Sequence, residues 1–115
     1  MAKSALPENL VISQQGGAGG TIQVNNGTLK KASSVLRAIN HPLRQTMLQL
    51  LDEQKRVTVT EIFTKLNLEQ SVASQHLAIL RRTGIVKTER EGKNIFYMVN
   101  KVRVAGISRL IDELA

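Results

Sequence analysis

Between Leu68 and Val86, the hydrophobic residues recur every three to four positions, which is the period of an α-helix. The apolar positions recur at three- and four-residue spacing and predict one buried face, formed by Ala73, Leu77 and Leu80. The opposite face carries short, uncharged hydrogen-bonding side chains, namely Gln70, Ser71, Ser74 and Gln75. Two arginines and a glycine that is typical of a helix end complete the segment at Arg81, Arg82 and Gly84.

Two interpretations fit this segment taken alone. It is either an ordinary amphipathic surface helix or a DNA recognition helix. In the second case the amides and hydroxyls contact base edges while the arginines neutralise phosphates. The elements on either side of the segment have to decide between them.

The preceding pattern predicts two longer helices, a short strand and a third helix. Thr28 is a candidate cap for the first helix, and Asn40-His-Pro42 separates it from the second, which runs to about Glu53. Val57–Val59 is a short β-branched run, and Thr60 is a candidate cap for the third helix. The apolar stripes of the three helices are Leu29, Ala32, Val35, Leu36 and Ile39; Leu43, Met47, Leu50 and Leu51; and Ile62, Phe63 and Leu66.

The following pattern predicts a β-hairpin and a last helix. Residues 85–90 and 94–99 are the strands, joined by Glu91-Gly-Lys-Asn94. Asn100 is a candidate cap for a helix whose apolar stripe is Val104, Ile107, Ile111 and Leu114. A chain of this size does not bury such a stripe easily, which favours a partner helix.

This order of elements predicts a mainly α fold with a small β-hairpin, the winged helix-turn-helix (α-α-β-α-α-β-β-α), in a homodimer. Residues 60–66 would form the supporting helix and residues 70–83 the recognition helix. Arg90 and Lys93 would lie at the tip of the wing. Residues 28–115 would form this domain. Residues 1–27 are rich in glycine and asparagine and predict a flexible arm, whose short apolar pieces pair as strands or dock on a partner subunit.

Composition narrows the class of protein. The 115 residues carry a formal charge of +7 and a pI of about 10.3, which favours a polyanionic partner. The chain has no cysteine, which excludes disulfides and thiolate metal sites. We expect a cytoplasmic protein that does not contact membranes, because no apolar run approaches a membrane span and no signal peptide is evident.

Four segments in order give a specific resemblance to the ArsR/SmtB family of prokaryotic winged-helix repressors. They are residues 39–44 (INHPLR), 59–62 (VTEI), 71–86 (SVASQHLAILRRTGIV) and 90–97 (REGKNIFY). The resemblance covers about Leu29 to Leu114. It implies a homodimer, built mainly from the first and last helices, that binds a palindromic operator and represses transcription. The dimerisation residues would be Leu29, Val35, Val104, Ile107, Ile111 and Leu114.

Many members of that family release DNA when they bind a metal, but the residues that do so differ here. The positions that match the familiar cysteine site are Thr58, Thr60, Glu61 and Ile62, and threonine is a poor ligand for soft metals. The last helix has Asp112 and Glu113 but no histidine. We therefore predict no metal site and no cofactor.

The two histidines and the remaining carboxylates have ordinary explanations. His76 is expected to pack between helices or to form a local hydrogen bond, and His41 is expected to cap a helix or lie exposed. Asp52, Glu53 and Asp112 offer oxygen ligands for a hard metal ion, but acidic groups at helix ends are usually solvated. An enzyme is not expected, because the sequence offers no nucleophile with a partner base and no glycine-rich phosphate loop.

The predicted function is sequence-specific binding of double-stranded DNA by a homodimeric repressor with an unknown inducer. Gln70, Ser71, Ser74 and Gln75 would contact bases, and Arg81, Arg82, Arg90 and Lys93 would contact phosphates. One alternative is a winged-helix module that binds proteins. Another is a repressor released by an organic ligand or a protein antagonist.

Overall fold

The computed structural model describes residues 8–14 and 20–115, which form two units. The first unit ends at Leu36, and the second comprises Arg37–Ala115. The glycine-rich stretch of residues 15–19 and the first seven residues of the predicted arm lie outside the described part.

The first unit contains an antiparallel hairpin of β1 (Asn9–Ser13) and β2 (Thr21–Asn25). This is the strand pairing that the sequence left open for the arm. Leu10 pairs with Val24 and Ile12 with Ile22, so these four apolar side chains share one face of the hairpin. Leu10, Ile12 and Ile22 are each about half exposed.

Helix α1 (Asn26–Ile39) follows β2 without a linker and begins three residues before Leu29, the first helical residue that a cap at Thr28 would give. The predicted cap, Thr28, is inside the helix. The side-chain oxygen of Asn25 accepts the backbone N–H of Thr28 at 2.9 Å, so Asn25 satisfies a free donor of the first turn. The boundary at residue 27 is therefore not a boundary of secondary structure.

Helix α2 (Pro42–Gln54) begins at proline, as the sequence predicts, and His41 caps it. The Nδ1 atom of His41 accepts the backbone N–H of Leu43 at 3.2 Å. This confirms the capping role that was one of the two expectations for His41.

Strand β3 (Val57–Thr58) and helix α3 (Val59–Lys65) correct the predicted cap. Thr58, not Thr60, precedes the helix, and it forms a capping box with Glu61. The Thr58 hydroxyl accepts the N–H of Glu61, and the Glu61 carboxylate accepts the N–H of Thr58, each at 3.3 Å. Val59 is the first helical residue because this reciprocal pair satisfies two backbone donors at that point.

A short turn joins α3 to α4 (Gln70–Arg82), and Asn67 adopts φ 54° in it, a conformation that asparagine tolerates. The wing is formed by β4 (Val86–Glu91) and β5 (Asn94–Val99), and the sheet order is β3-β5-β4. Glu91 pairs with Asn94, so only Gly92 and Lys93 form the turn. Gly92 has φ 62°, as the first position of a tight two-residue turn requires. Helix α5 (Lys101–Leu114) ends the chain, capped by the Asn100 side chain as predicted.

The core of the second unit lies where α2, α3, α4 and the sheet meet, and Ile107 from α5 completes it. Its buried apolar side chains are Ala38, Met47, Leu51, Val57, Ile62, Ala73, Leu77, Leu80, Ile85, Val86 and Ile107. The unit is the predicted winged helix-turn-helix. Four residues of the stripes predicted to be buried on α2 and α3 are only partly covered, namely Leu43, Leu50, Phe63 and Leu66.

Candidate DNA-binding surface

Helix α4 has one buried and one exposed face, as its periodicity predicts. Ala73, Leu77 and Leu80 are at most 1% exposed, and the helix packs through this stripe against α2, α3 and β4. The uncharged polar positions of the opposite face are all exposed, and they are Gln70, Ser71, Ser74 and Gln75. The core thus holds the helix while these side chains remain free to approach a ligand.

The carboxyl end of α4 is basic and held by α5. Arg81 and Arg82 are exposed in the last turn, where positive charge is favourable with the helix dipole. Gly84 adopts φ 79° just after the helix, and the Nε atom of Arg103 donates to the carbonyl of Thr83 at 3.4 Å. Arg103 therefore anchors the end of α4 to the last helix.

Arg90 and Lys93 lie at the tip of the wing, as predicted, and both are exposed. The Nε atom of Arg90 donates to the carbonyl of Gly92 at 3.3 Å, so its side chain lies beside the turn. Two cations at the end of a two-stranded projection form a surface suited to a phosphate backbone.

Arg56 supports the wing and was not predicted from the sequence. Its guanidinium lies 3.9 Å from the centre of the Phe96 ring and forms an ion pair with Glu91. The contact with Phe96 joins Arg56 to β5, and the ion pair with Glu91 joins it to β4 next to the turn. No local sequence pattern indicates this ion pair, because Arg56 and Glu91 are 35 positions apart.

The only two histidines of the chain meet where α4 faces the start of α2. Their ring centres are 4.8 Å apart, and the Nε atom of Arg44 donates to Nδ1 of His76 at 3.2 Å. Partial burial, together with the charges of His41 and Arg44, lowers the pKa of His76 from its ordinary 6.5. The expectation that His76 packs between helices is confirmed, whereas its hydrogen bond is not local, because Arg44 lies 32 positions away in the sequence.

Arg44 also contacts the last turn of α1. Its Nη1 atom donates to the carbonyls of Arg37 and Ala38 at 3.3 and 3.1 Å. These carbonyls lie at a helix end, where backbone acceptors lack intrahelical partners. A single guanidinium thus connects the end of α1 with the middle of α4. Arg44 belongs to a segment that the sequence singled out, but its partners were not evident.

Two carboxylates near the positions weighed for a metal, Asp52 and Glu61, are paired with groups of the protein itself. Asp52 lies 4.0 Å from the Lys55 ammonium and 3.8 Å from that of Lys101. Glu61 is part of the capping box with Thr58. Across residues 8–14 and 20–115, no three side chains of His, Cys, Asp or Glu come together in a way that would hold a metal ion.

The predicted dimerisation stripe of α5 divides into a buried and an exposed part. Ile107 is 7% exposed and belongs to the core, so its burial needs no partner. Ile111 and Leu114 are 39% and 68% exposed, and Val104 is partly covered. On α1, Leu29 is 51% exposed and Val35 is partly covered. Leu110, at 44% exposed, extends the free apolar surface of α5.

An apolar groove of about 480 Å³ runs between α2 and α5. Its lining residues are Leu48, Gln49, Asp52, Val99, Lys101, Val104, Ala105 and Ser108. Among the described helices, none combines the length and the apolar character needed to cross a membrane.

The sequence is similar to those of known transcriptional regulators. A family model described as "Bacterial regulatory protein, arsR family" matches residues 41–88. An uncharacterised HTH-type transcriptional regulator of Methanocaldococcus jannaschii is 39% identical over 85 residues, which are 74% of this chain and 96% of that protein. The transcriptional repressor PagR of Bacillus anthracis is 33% identical over 76% of this chain and 87% of its own length.

Solved structures of transcriptional regulators are also similar to this chain. The crystal structure of PagR covers 76% of this chain and 99% of its own with a TM-score of 0.61 and 33% identity. A solution structure from Mycobacterium bovis, described as a homodimeric winged helix-turn-helix DNA-binding domain, matches with a TM-score of 0.64 at 27% identity over 77% of this chain and 82% of its own.

Proposed function

Because the chain belongs to the arsR family of bacterial regulatory proteins, we propose that it represses transcription by binding a palindromic operator as a homodimer. It is a DNA-binding transcriptional regulator with a winged helix-turn-helix domain. Its place of action would be the cytoplasm, where the DNA of a prokaryote lies.

The observation that carries the proposal is the exposed polar face of α4. Four uncharged hydrogen-bonding side chains, Gln70, Ser71, Ser74 and Gln75, lie on a helix whose other face is fixed in the core. Glutamine pairs with adenine through two hydrogen bonds, and serine accepts or donates to several bases. We assign these four residues to base contacts in the major groove.

The surrounding cations would supply the affinity that does not depend on sequence. Arg81 and Arg82 extend the face of α4, and Arg90 and Lys93 project from the wing. Each phosphate that they neutralise releases a counterion, so binding would weaken steeply as salt rises.

A homodimer would present two copies of α4 related by a twofold axis. Half-sites in such complexes are separated by one helical turn of DNA, roughly 34 Å. We assign the interface to the exposed apolar side chains of α1 and α5, namely Leu29, Val35, Val104, Leu110, Ile111 and Leu114. Ile107 is left out because the core already covers it.

The test is a fluorescence-anisotropy titration with labelled duplexes at several salt concentrations. In vitro selection from a random library first supplies a bound duplex, and its scrambled form serves as the control. We expect tight binding to the selected palindrome and a negative slope of log affinity against log salt. A winged-helix module that binds only proteins would bind neither duplex in a salt-dependent way, and that result would refute the proposal.

Release by an organic ligand is a second proposal about regulation, and the groove between α2 and α5 favours it. The groove is largely apolar and of a size that small ligands occupy. Thermal-shift screening against small metabolites, followed by titration of the DNA complex with each hit, tests this. If a metabolite stabilises the protein but leaves DNA binding unchanged, that metabolite is not the releasing signal.

A further inference from the structure

The link between Arg44 and His76 has a geometry that depends on protonation. Nδ1 of His76 accepts a hydrogen bond from Nε of Arg44 at 3.2 Å. A guanidinium only donates hydrogen bonds, so Nδ1 carries no proton and the neutral imidazole has its proton on Nε2. Protonation of Nδ1 would set two N–H groups and two positive charges against each other.

Among the described residues, none that acts on His76 carries a negative charge that would offset that repulsion. Helices α2 and α3 and strand β4 pack against α4. From α2 and its cap, the groups that act on His76 are Arg44 and His41, and both disfavour the charged imidazole. The charged groups on the other two elements are all exposed, and the lowered pKa of His76 comes instead from burial, His41 and Arg44. These exposed groups are Glu61 and Lys65 on α3, and Lys87, Glu89, Arg90 and Glu91 on β4.

The other end of the Arg44 guanidinium holds the last turn of α1 through the carbonyls of Arg37 and Ala38. The planar group therefore fixes three acceptors from two helices at once, which a lysine ammonium with its single nitrogen does not reproduce. His76 follows Gln75, which we assign to base contacts, so a shift of His76 would move the base-contacting face of α4.

We propose that Arg44 is a positioning residue that fixes the recognition helix through neutral His76, and that protonation of His76 releases the helix and lowers the discrimination between operator and random DNA. The inference deepens the proposed function and depends on it. Discrimination is the informative quantity, because an added positive charge alone would strengthen binding to any DNA. A fall in pH would thus weaken the recognition of the operator, while the total binding of DNA persists.

The first experiment needs no DNA. In a His41→Asn background, where asparagine keeps a side-chain cap, His76 is the only imidazole of the chain. Imidazole ¹⁵N NMR is expected to show the Nε2–H tautomer at neutral pH and titration below 6.5. Hydrogen-exchange protection of the α4 amides, corrected for intrinsic rates, should fall over the same pH range. A proton on Nδ1 at neutral pH, or protection that does not follow the titration, would overturn the proposal.

The second experiment measures the ratio of affinities for the selected duplex and its scrambled form from pH 8 to pH 5. The ratio should fall roughly tenfold as His76 becomes protonated, which is about the net contribution of one hydrogen bond to a charged group. Arg44→Lys should show the low ratio at every pH. His76→Asn keeps an acceptor without titrating, so it should keep the high ratio and lose the pH dependence.

Gln45→Ala is the matched control, because Gln45 donates to the Ile39 carbonyl at 3.0 Å and thus also holds the end of α1. It should leave the ratio and its pH profile unchanged. If Gln45→Ala and Arg44→Lys lowered the ratio of affinities equally, Arg44 would act only by capping the end of α1. If Arg44→Lys does not fold, His76→Asn decides, and a pH dependence that persists in it refutes the proposal. Absence of binding to any duplex, with the NMR results as expected, would instead refute the proposed function.

Discussion

Replacing Leu114 with glutamine should weaken the homodimer without unfolding the protomer. Leu114 lies on the same side of α5 as Ile107 and Ile111 and is 68% exposed in the protomer. Full burial of a leucine side chain contributes about 1.5–3 kcal/mol, so covering the exposed part contributes about 1–2 kcal/mol. The twofold axis repeats the change in the second copy, which gives about 2–4 kcal/mol, or roughly a 30- to 700-fold rise in the dimer Kd.

Sedimentation-velocity ultracentrifugation over a range of protein concentrations measures this Kd. Glutamine forms helix almost as well as leucine, so α5 itself should persist. Val102→Gln is the matched control, because Val102 is 86% exposed but lies on the opposite side of α5 from Val104. An equal change in both variants, or none in Leu114→Gln, would refute the assignment of this side of α5 to the interface. Ile107→Asp does not test it, since that residue is in the core and the variant should unfold.

Three further predictions concern the DNA contacts and the fold. Gln75→Ala should lower the discrimination between operator and scrambled duplex by about 1–3 kcal/mol in anisotropy titrations, because a bidentate base contact is lost; an equal loss on both duplexes would remove Gln75 from base recognition. Arg90→Ala and Lys93→Ala should weaken binding to both duplexes and flatten the salt slope by about one unit per lost contact, and an unchanged slope would place the wing away from the phosphates. Thr58→Ala should lower the free energy of unfolding by about 1 kcal/mol, or about 4–8 °C in Tm by calorimetry, while Thr60→Ala should change it little; the reverse order would show that Thr60 is the cap after all.

The faces of α4 were predictable because helical periodicity is local. The spacing of Ala73, Leu77 and Leu80 determines which side of the helix is apolar, and the exposed side follows from it. Periodicity does not say what covers an apolar stripe. On α5, Ile107 and Leu114 belong to one stripe, yet the core of the same chain buries the first and leaves the second exposed.

The side-chain links that support the site were not predictable from local pattern. Arg44 and His76 are 32 positions apart, and Arg56 and Glu91 are 35 apart. Such pairs depend on how the helices and strands pack, which a single sequence does not encode in any short window. The cap of α3 was misplaced for a different reason. Thr58 and Thr60 are both good caps, and only the Thr58–Glu61 pair satisfies the capping box.

The two-residue turn of the wing limits how its length can change. Because Glu91 pairs directly with Asn94, an extra residue in one strand would shift the register and turn the side chains beyond it to the opposite face. One extra residue in each strand would keep the register and lengthen the wing by about 3.4 Å, but it would present the tip on the other face. Only two extra residues in each strand restore the face. Wings of this design that keep their cations towards the same groove are therefore expected to vary in length by steps of four residues.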